Sequence, residues 1–214
     1  MNDLPTPERA TKTPMVWIDC EMTGLDPEVD ELVEVAVIVT DSTLHPLGPG
    51  IDVLIKPSET ALEQMSDFVR QMHQSSGLLD ELQTAGTLED AQEQVLDYIK
   101  SMVDQPGIAP LAGNSVGQDQ RFLRAYMPQV SDYLHYRVID VSTIKELAKR
   151  WYPRVYVCAP AKNGGHRALA DIRDSITELE YYRRALFPEE LNPESGTYHR
   201  IAASVSEQAK REFG

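Results

Sequence analysis

The sequence predicts an α/β protein built on a mixed sheet of five strands, an antiparallel meander plus parallel strands, covered by helices. Three observations carry this. Residues 15–20, 32–40 and 51–55 are apolar runs, the second and third rich in Val and Ile, joined by short links such as Pro46-Leu47-Gly48-Pro49-Gly50, which reads as a meander. After Ser58 the apolar spacing changes from that of strands to that of helices. Two later apolar runs, 108–112 and 138–141, each precede a helical segment, the βα order that brings strands parallel.

Taken in order, residues 1–13 read as a disordered arm, 14–187 as one domain and 188–214 as an extension with a candidate helix over 201–213. The first strand leads to a turn over 24–30. Short helices are expected at 61–69 and 78–82, and a strong one at 87–102, with Leu88, Ala91, Val95, Tyr98 or Ile99, and Met102 at helical spacing. Thr87 with Asp90 resembles a capping box with Asp in the usual Glu position, and Pro106-Gly107 stops the helix. Further helices are predicted at 119–126 and 142–151. Residues 152–165, with two prolines and Asn163-Gly164-Gly165, read as a mobile loop. Leu169, Ile172, Ile176 and Leu179 make a single stripe on a helix over 168–186, and Pro188 and Pro193 end the domain.

At 214 residues and 42% hydrophobic, the chain can bury a sizeable core. No apolar run approaches the ~20 residues of a membrane span. The first residues lack a secretory apolar region, so an intracellular, cytoplasmic protein is expected. Two cysteines are too few for a disulfide framework. The net charge of −14 argues against tracking a long nucleic acid by its phosphates, while leaving room for a short one.

In the segment Val16-Trp17-Ile18-Asp19-Cys20-Glu21-Met22-Thr23-Gly24-Leu25, strand alternation puts Asp19 and Glu21 on one face. Two acids side by side repel unless a cation sits between them, and carboxylate oxygens suit Mg²⁺ or Mn²⁺. Alone, so short a pattern is more readily a strand end with solvated acids. Asp119, after Gly113-Asn114-Ser115-Val116-Gly117-Gln118, is by itself a helix-start acid facing the dipole. His166 is a loop histidine beside Gly164-Gly165, and Asp171 flanks the apolar stripe of the last helix.

Together, Asp19-x-Glu21, Asn114-x4-Asp119 and His166-x4-Asp171 resemble the three motifs of the DEDDh family of 3′-to-5′ exonucleases, in order. With Tyr126-Met127-Pro128, His135-Tyr136-Arg137, Asp140-Val141-Ser142-Thr143 and Asp171-Ile172-Arg173, the match is similar to the oligoribonuclease branch over about residues 14–186. The resemblance implies a ribonuclease H-like exonuclease domain over 14–187 that hydrolyses dinucleotides and very short RNAs to nucleoside 5′-monophosphates. It implies two divalent cations, Mg²⁺ or Mn²⁺, held by Asp19, Glu21, Asp119 and Asp171, with His166 as general base.

The same resemblance assigns Leu25 as a wedge between bases and Phe68 as a stacking platform where many relatives carry Trp. Ser115, His73, Arg137 and Ser142 would close around the 5′ phosphate, and Tyr136 would reach the partner's site in a homodimer. The alternatives are a DEDDh exonuclease acting on longer DNA or structured RNA ends, a catalytically silent nucleotide-binding protein on the same fold, and a structural interaction module.

Overall fold

The computed structural model describes residues 13–161, 165, 167–187 and 195–213. Five strands form one sheet: β1 (Met15–Met22), β2 (Leu32–Thr40), β3 (Ile51–Leu54), β4 (Pro110–Gly113) and β5 (His135–Asp140), in the order β3-β2-β1-β4-β5. β1–β2 and β2–β3 pair antiparallel, and β1–β4 and β4–β5 parallel, so the predicted meander and mixed sheet both form.

The helices are α1 (Glu59–Gln64), α2 (Asp67–Ser75), α3 (Leu78–Glu81), α4 (Leu88–Met102), α5 (Gly117–Tyr126), α6 (Pro128–Tyr133), α7 (Val141–Trp151), α8 (Pro153–Val157), α9 (Ala168–Leu186) and α10 (Ser195–Phe213). None of the described helices is long and apolar enough to cross a membrane.

Strand alternation divides the core between the two faces of the sheet. Val16, Ile18 and Cys20 of β1, with Val35, Val37 and Val39 of β2, pack against Val95 and Ile99 of α4 and Phe122 and Leu123 of α5. Trp17, Ala36 and Ile38 face the other way, onto Val141 and Ala148 of α7 and Ala168, Ile172 and Tyr182 of α9. Asp19 and Glu21 continue the Trp17 side, so the face that meets α9 changes from apolar to acidic along one strand.

Several boundaries differ from expectation, each for a physical reason. β1 runs on to Met22 because Glu21 still pairs with Glu34 and Met22 with Leu32, beyond a bulge. The predicted helix over 61–69 is two helices, since Ser58 and Ser66 each cap a separate start, accepting from the backbone N–H of Ala61 and Val69. Residues 153–157 of the expected loop form α8, with Pro153 in the first turn where a missing N–H costs nothing. Pro128 starts α6 in the same way, a helix that the sequence reading passed over. α10 begins at Ser195, six residues before the expected start. At α4 the Thr87 half of the predicted capping box forms, Asp90 N–H donating to Thr87 Oγ1 at 3.1 Å, while the Asp90 carboxylate accepts from the Thr87 hydroxyl at 2.8 Å. The expected arm over 1–13, apart from residue 13, lies outside the described residues, as do 162–164, His166 and 188–194.

Trp17 fixes the height of β1 over α9: it is fully buried and its Nε1–H donates to Thr40 Oγ1 at 3.0 Å. Thr40→Val should leave that indole N–H without its acceptor and cost about 1–3 kcal/mol in urea unfolding. Trp17→Ala should cost about 3–5 kcal/mol, because a cavity opens in the layer beneath the acids.

Candidate active site

Three of the predicted acids meet where the α9 side of β1 turns polar. Asp19, Glu21 and Asp171 each present a ligand atom, all within 4.8 Å of one another. Asp171 arrives there because it lies in the first turns of α9, and the helix start is packed on the sheet by Ala168 and Ile172. Asp119 comes from the opposite layer, on α5, and accepts a hydrogen bond from the backbone N–H of Cys20 at 3.1 Å. It borders the trio and lies outside the cluster of three.

The crowding is expressed in the protonation of these groups. Asp19 is pushed up to about 9, first by burial and then by the charges of Asp119, Glu21 and Asp171. Glu21 is pushed up to about 8 by burial, then by Glu34 and Asp171. Burial lifts Asp119 to about 7, while its hydrogen bond from Cys20 N–H opposes the rise. Acids so placed hold protons at neutrality unless a cation takes their place. Carboxylate oxygens at this spacing suit a hard divalent ion.

A cleft of about 810 Å³ opens beside them, lined by Glu21, Asp119, Asn114 and Ser115 at one end and by Leu25 and Phe68 farther out. Leu25 is 71% and Phe68 77% exposed, two large apolar side chains held in water. The Leu25 loop is nonetheless tied down. Thr23 Oγ1 donates to Asp30 Oδ1, Asp26 N–H to Asp30 Oδ2, and Tyr126 Oη to the carbonyl of Asp30 at 2.6 Å. An added Cβ at Gly24 would stand 2.3 Å from Asp30 Oδ2, so a larger residue would push aside the carboxylate that Thr23 and Asp26 engage.

Ser115 and Ser142 are brought together, their hydroxyls 3.1 Å apart. Asp140 Oδ1 accepts from both of their backbone N–H groups, at 2.9 Å each, and Ser142 Oγ donates to Asn114 Oδ1 at 3.0 Å. Ser115 takes a left-handed φ of 57°, a strained conformation for a residue with a side chain. Tyr136 and Arg137 stand on the edge strand β5, the guanidinium 5.3 Å from the ring centroid.

His73, expected at the phosphate, stands against β1. It is fully buried, its Nε2 is 2.8 Å from the Met22 carbonyl, and its Nδ1 is 3.9 Å from Glu21 Oε2. With no exposed atom it supports the strand that carries Glu21. The predicted base, His166, falls outside the described residues.

The sequence reading missed Glu34 and Arg167. Glu34 is fully buried on β2, directly opposite Glu21 in the ladder. Its Oε1 accepts from Arg167 Nε at 2.9 Å and its Oε2 from Ala168 N–H at 3.2 Å, capping α9 from another element. Arg167 also makes a two-pronged contact with Glu81, at 2.9 and 3.0 Å. The signal available was a lone acid in the otherwise apolar run Leu32-Val33-Glu34-Val35-Ala36-Val37.

Comparison with known proteins agrees with this geometry. The RNase T exonuclease family model matches residues 16–179. An oligoribonuclease of Streptomyces griseus is 60% identical over 195 residues, 91% of this chain and 97% of the relative. One from Leifsonia xyli subsp. xyli is 51% identical, covering 94% and 97%. Among solved structures, the metal-free Escherichia coli exonuclease I complex with single-stranded DNA aligns with a TM-score of 0.62 at 14% identity, over 82% of this chain and 40% of that one. The zinc-bound form of that complex gives 0.58 at 15% identity, over 82% and 41%, so the chain spans about two fifths of those longer proteins. Their likeness shows the ribonuclease H-like fold. From the family model and the relatives together, the chain belongs to the oligoribonuclease family of exonucleases and is a nuclease.

Proposed function

We propose that the protein is a divalent-cation-dependent 3′-to-5′ exoribonuclease that hydrolyses 5′-phosphorylated dinucleotides and other very short single-stranded RNAs to nucleoside 5′-monophosphates, completing RNA degradation in the cytoplasm. The observation that carries it is the meeting of Asp19, Glu21 and Asp171, with ligand atoms within 4.8 Å, beside a cleft walled by Leu25 and Phe68. Two free cysteines suit a reducing compartment.

Asp19, Glu21, Asp171 and Asp119 would hold the divalent cations, Mg²⁺ or Mn²⁺, and the chemistry these would supply when bound is activation of a water and stabilisation of the leaving 3′ oxygen. His166 takes the proton from the attacking water, a role that imidazole fills near neutrality. Leu25 wedges between the bases and Phe68 stacks on one of them, contributing roughly 1–3 kcal/mol. Ser115, Ser142 and Arg137 hold the 5′ phosphate, donating hydroxyl and guanidinium hydrogens to it. A net charge of −14 is compatible with this, because a pocket for two nucleotides needs one cationic corner.

The protein acts as a homodimer in which Tyr136 reaches the partner's site. Support comes from β5, an edge of the sheet with Tyr136 74% exposed, and from an exposed Trp151 on α7. Open edges and apolar patches of this kind are ordinarily covered.

Labelled 5′-phosphorylated RNAs of two to about twenty nucleotides test the reading, with length as the variable that a phosphate cap controls. Cleavage should be fastest on the dinucleotide, should stop in chelator, and should be nearly abolished in folded His166→Ala. Equal rates at all lengths would remove the cap, and chelator-resistant cleavage the cations.

Stability should respond to the same ions. Asp19 and Glu21 bind protons more tightly folded than unfolded, so their stabilising contribution is full at low pH. It is lost as pH rises from about 4 toward about 9, through their folded values. In chelator, Asp19→Asn should therefore gain stability over wild type as pH is raised from 5 to 8, on the order of the span those shifts cover. Adding Mn²⁺ should raise the Tm of wild type and not of the variant. A gap between the two proteins that narrows with pH contradicts the placement of charge.

For the dimer, Tyr136→Ala should sediment like wild type yet lose most of its activity on the dinucleotide. A fully active wild-type monomer is the result incompatible with a shared site.

A further inference from the structure

Glu21 and Glu34 face each other across the β1–β2 ladder on the side that meets α9. Directly opposed side chains in such a ladder have Cβ atoms about 4.5–5.5 Å apart, and like charges there destabilise the pair. The two acids nevertheless have different surroundings. Glu21 lines the cleft and clusters with Asp19 and Asp171, whereas Glu34 is sealed from water and engaged by Arg167 Nε and Ala168 N–H. Arg167 is itself held, by both oxygens of Glu81 and with Asp52 Oδ2 at 3.8 Å. A single guanidinium thus gathers three acids and leaves Glu21 to the cluster.

Resting on the cation-dependent reading above, we propose that Arg167 is a positioning residue that reserves the cation site. By occupying Glu34 it keeps that carboxylate from joining Glu21 as a ligand, and so holds a divalent cation on the Asp19, Glu21 and Asp171 side. Without Arg167, the buried Glu34 is an uncompensated anion beside the cluster, and a cation drawn between Glu21 and Glu34 is displaced from the reacting phosphate. The consequence differs from that of a simple anchor, because it resides in the charge of Glu34 and not in the number of hydrogen bonds.

The full-length protein is compared with Arg167→Gln, Glu34→Gln and the double variant. Mn²⁺ binding is measured without RNA by electron paramagnetic resonance, and kcat and KM on a 5′-phosphorylated dinucleotide. Arg167→Gln should bind Mn²⁺ as tightly as wild type or more tightly, with KM little changed and kcat lowered about 10- to 100-fold. Adding Glu34→Gln should return kcat close to wild type, since Gln still offers an oxygen to Ala168 N–H but no charge.

A folded double variant as slow as Arg167→Gln overturns the proposal, as does an Arg167→Gln protein that loses Mn²⁺ binding. Should Arg167→Gln fail to fold, the double variant decides alone: near-normal kcat supports charge partition, and a slow enzyme that still binds Mn²⁺ refutes it. Wild type that binds no Mn²⁺ and cleaves in chelator fails differently, by removing the cation reading itself.

Discussion

Repulsion among carboxylates held away from water is the constraint on which the rest of this structure depends. Asp19, Glu21, Glu34 and Asp171 converge on one side of β1 and β2, with Asp119 arriving from the opposite layer. Left alone, such a group would spread apart or take up protons. Packing denies the first escape. Trp17 and Tyr182 are fully buried beneath them, and α9 is fastened to the sheet by Ala168 and Ile172. The apolar layer therefore supplies the rigidity that keeps the acids together, and each acid is relieved by its own device. Arg167 answers Glu34 and the backbone N–H of Cys20 answers Asp119, and on the proposed reading a cation would answer the remaining three.

Much of the sheet was legible because its signals are local. β2 occupies the residues its Val and Ile pattern indicates, and α9 those of the stripe from Leu169 to Leu179. Asp19 and Glu21 share a face by alternation alone, and that too could be read in advance. What could not be read is set by contacts distant in sequence. β1 outlasts its apolar run because Glu21 has a pairing partner 13 residues later in Glu34. The internal place of His73 depends on the Met22 carbonyl and Glu21, some fifty positions away, and nothing in its own helix shows it. Glu34 was the exception, a local anomaly in an apolar strand whose partner, Arg167, lies 133 residues away.

The cleft shows the same division between local identity and distant support. Leu25 and Phe68 are ordinary apolar residues in sequence, and they become distinctive only because the fold leaves both exposed on one cavity. A protein does not ordinarily keep a pair of large apolar groups in water at the mouth of a polar site. The Leu25 loop is fixed through one hub. Asp30 and Glu31 tie the Leu25 loop to Thr23 on one side, and Glu31 reaches Ser58, the cap of α1, at 2.8 and 2.7 Å on the other. Ser58 caps α1, while Phe68 stands on α2 with its own cap at Ser66.

That hub begins where β1 ends, and this gives the first strand a geometric meaning. Glu21 belongs to the acid cluster, Thr23 to the hub, Gly24 to the turn and Leu25 to the slot, all within five residues. A chain of four peptide units spans at most about 13–14 Å, so covalent geometry alone bounds the separation between the acids and the wedge. The turn at Gly24 and the hydrogen bonds of Asp30 then choose one value within that bound. Movement of the loop would be felt at the acids, and movement of the acids at the loop. On the proposed reading, the distance from the scissile phosphate to the bases is measured by the strand that also carries the cation ligands. Ser115, which lines the cleft, is joined to Ser142 through their hydroxyls and through Asp140, and on the same reading this pair is where chain length would be limited.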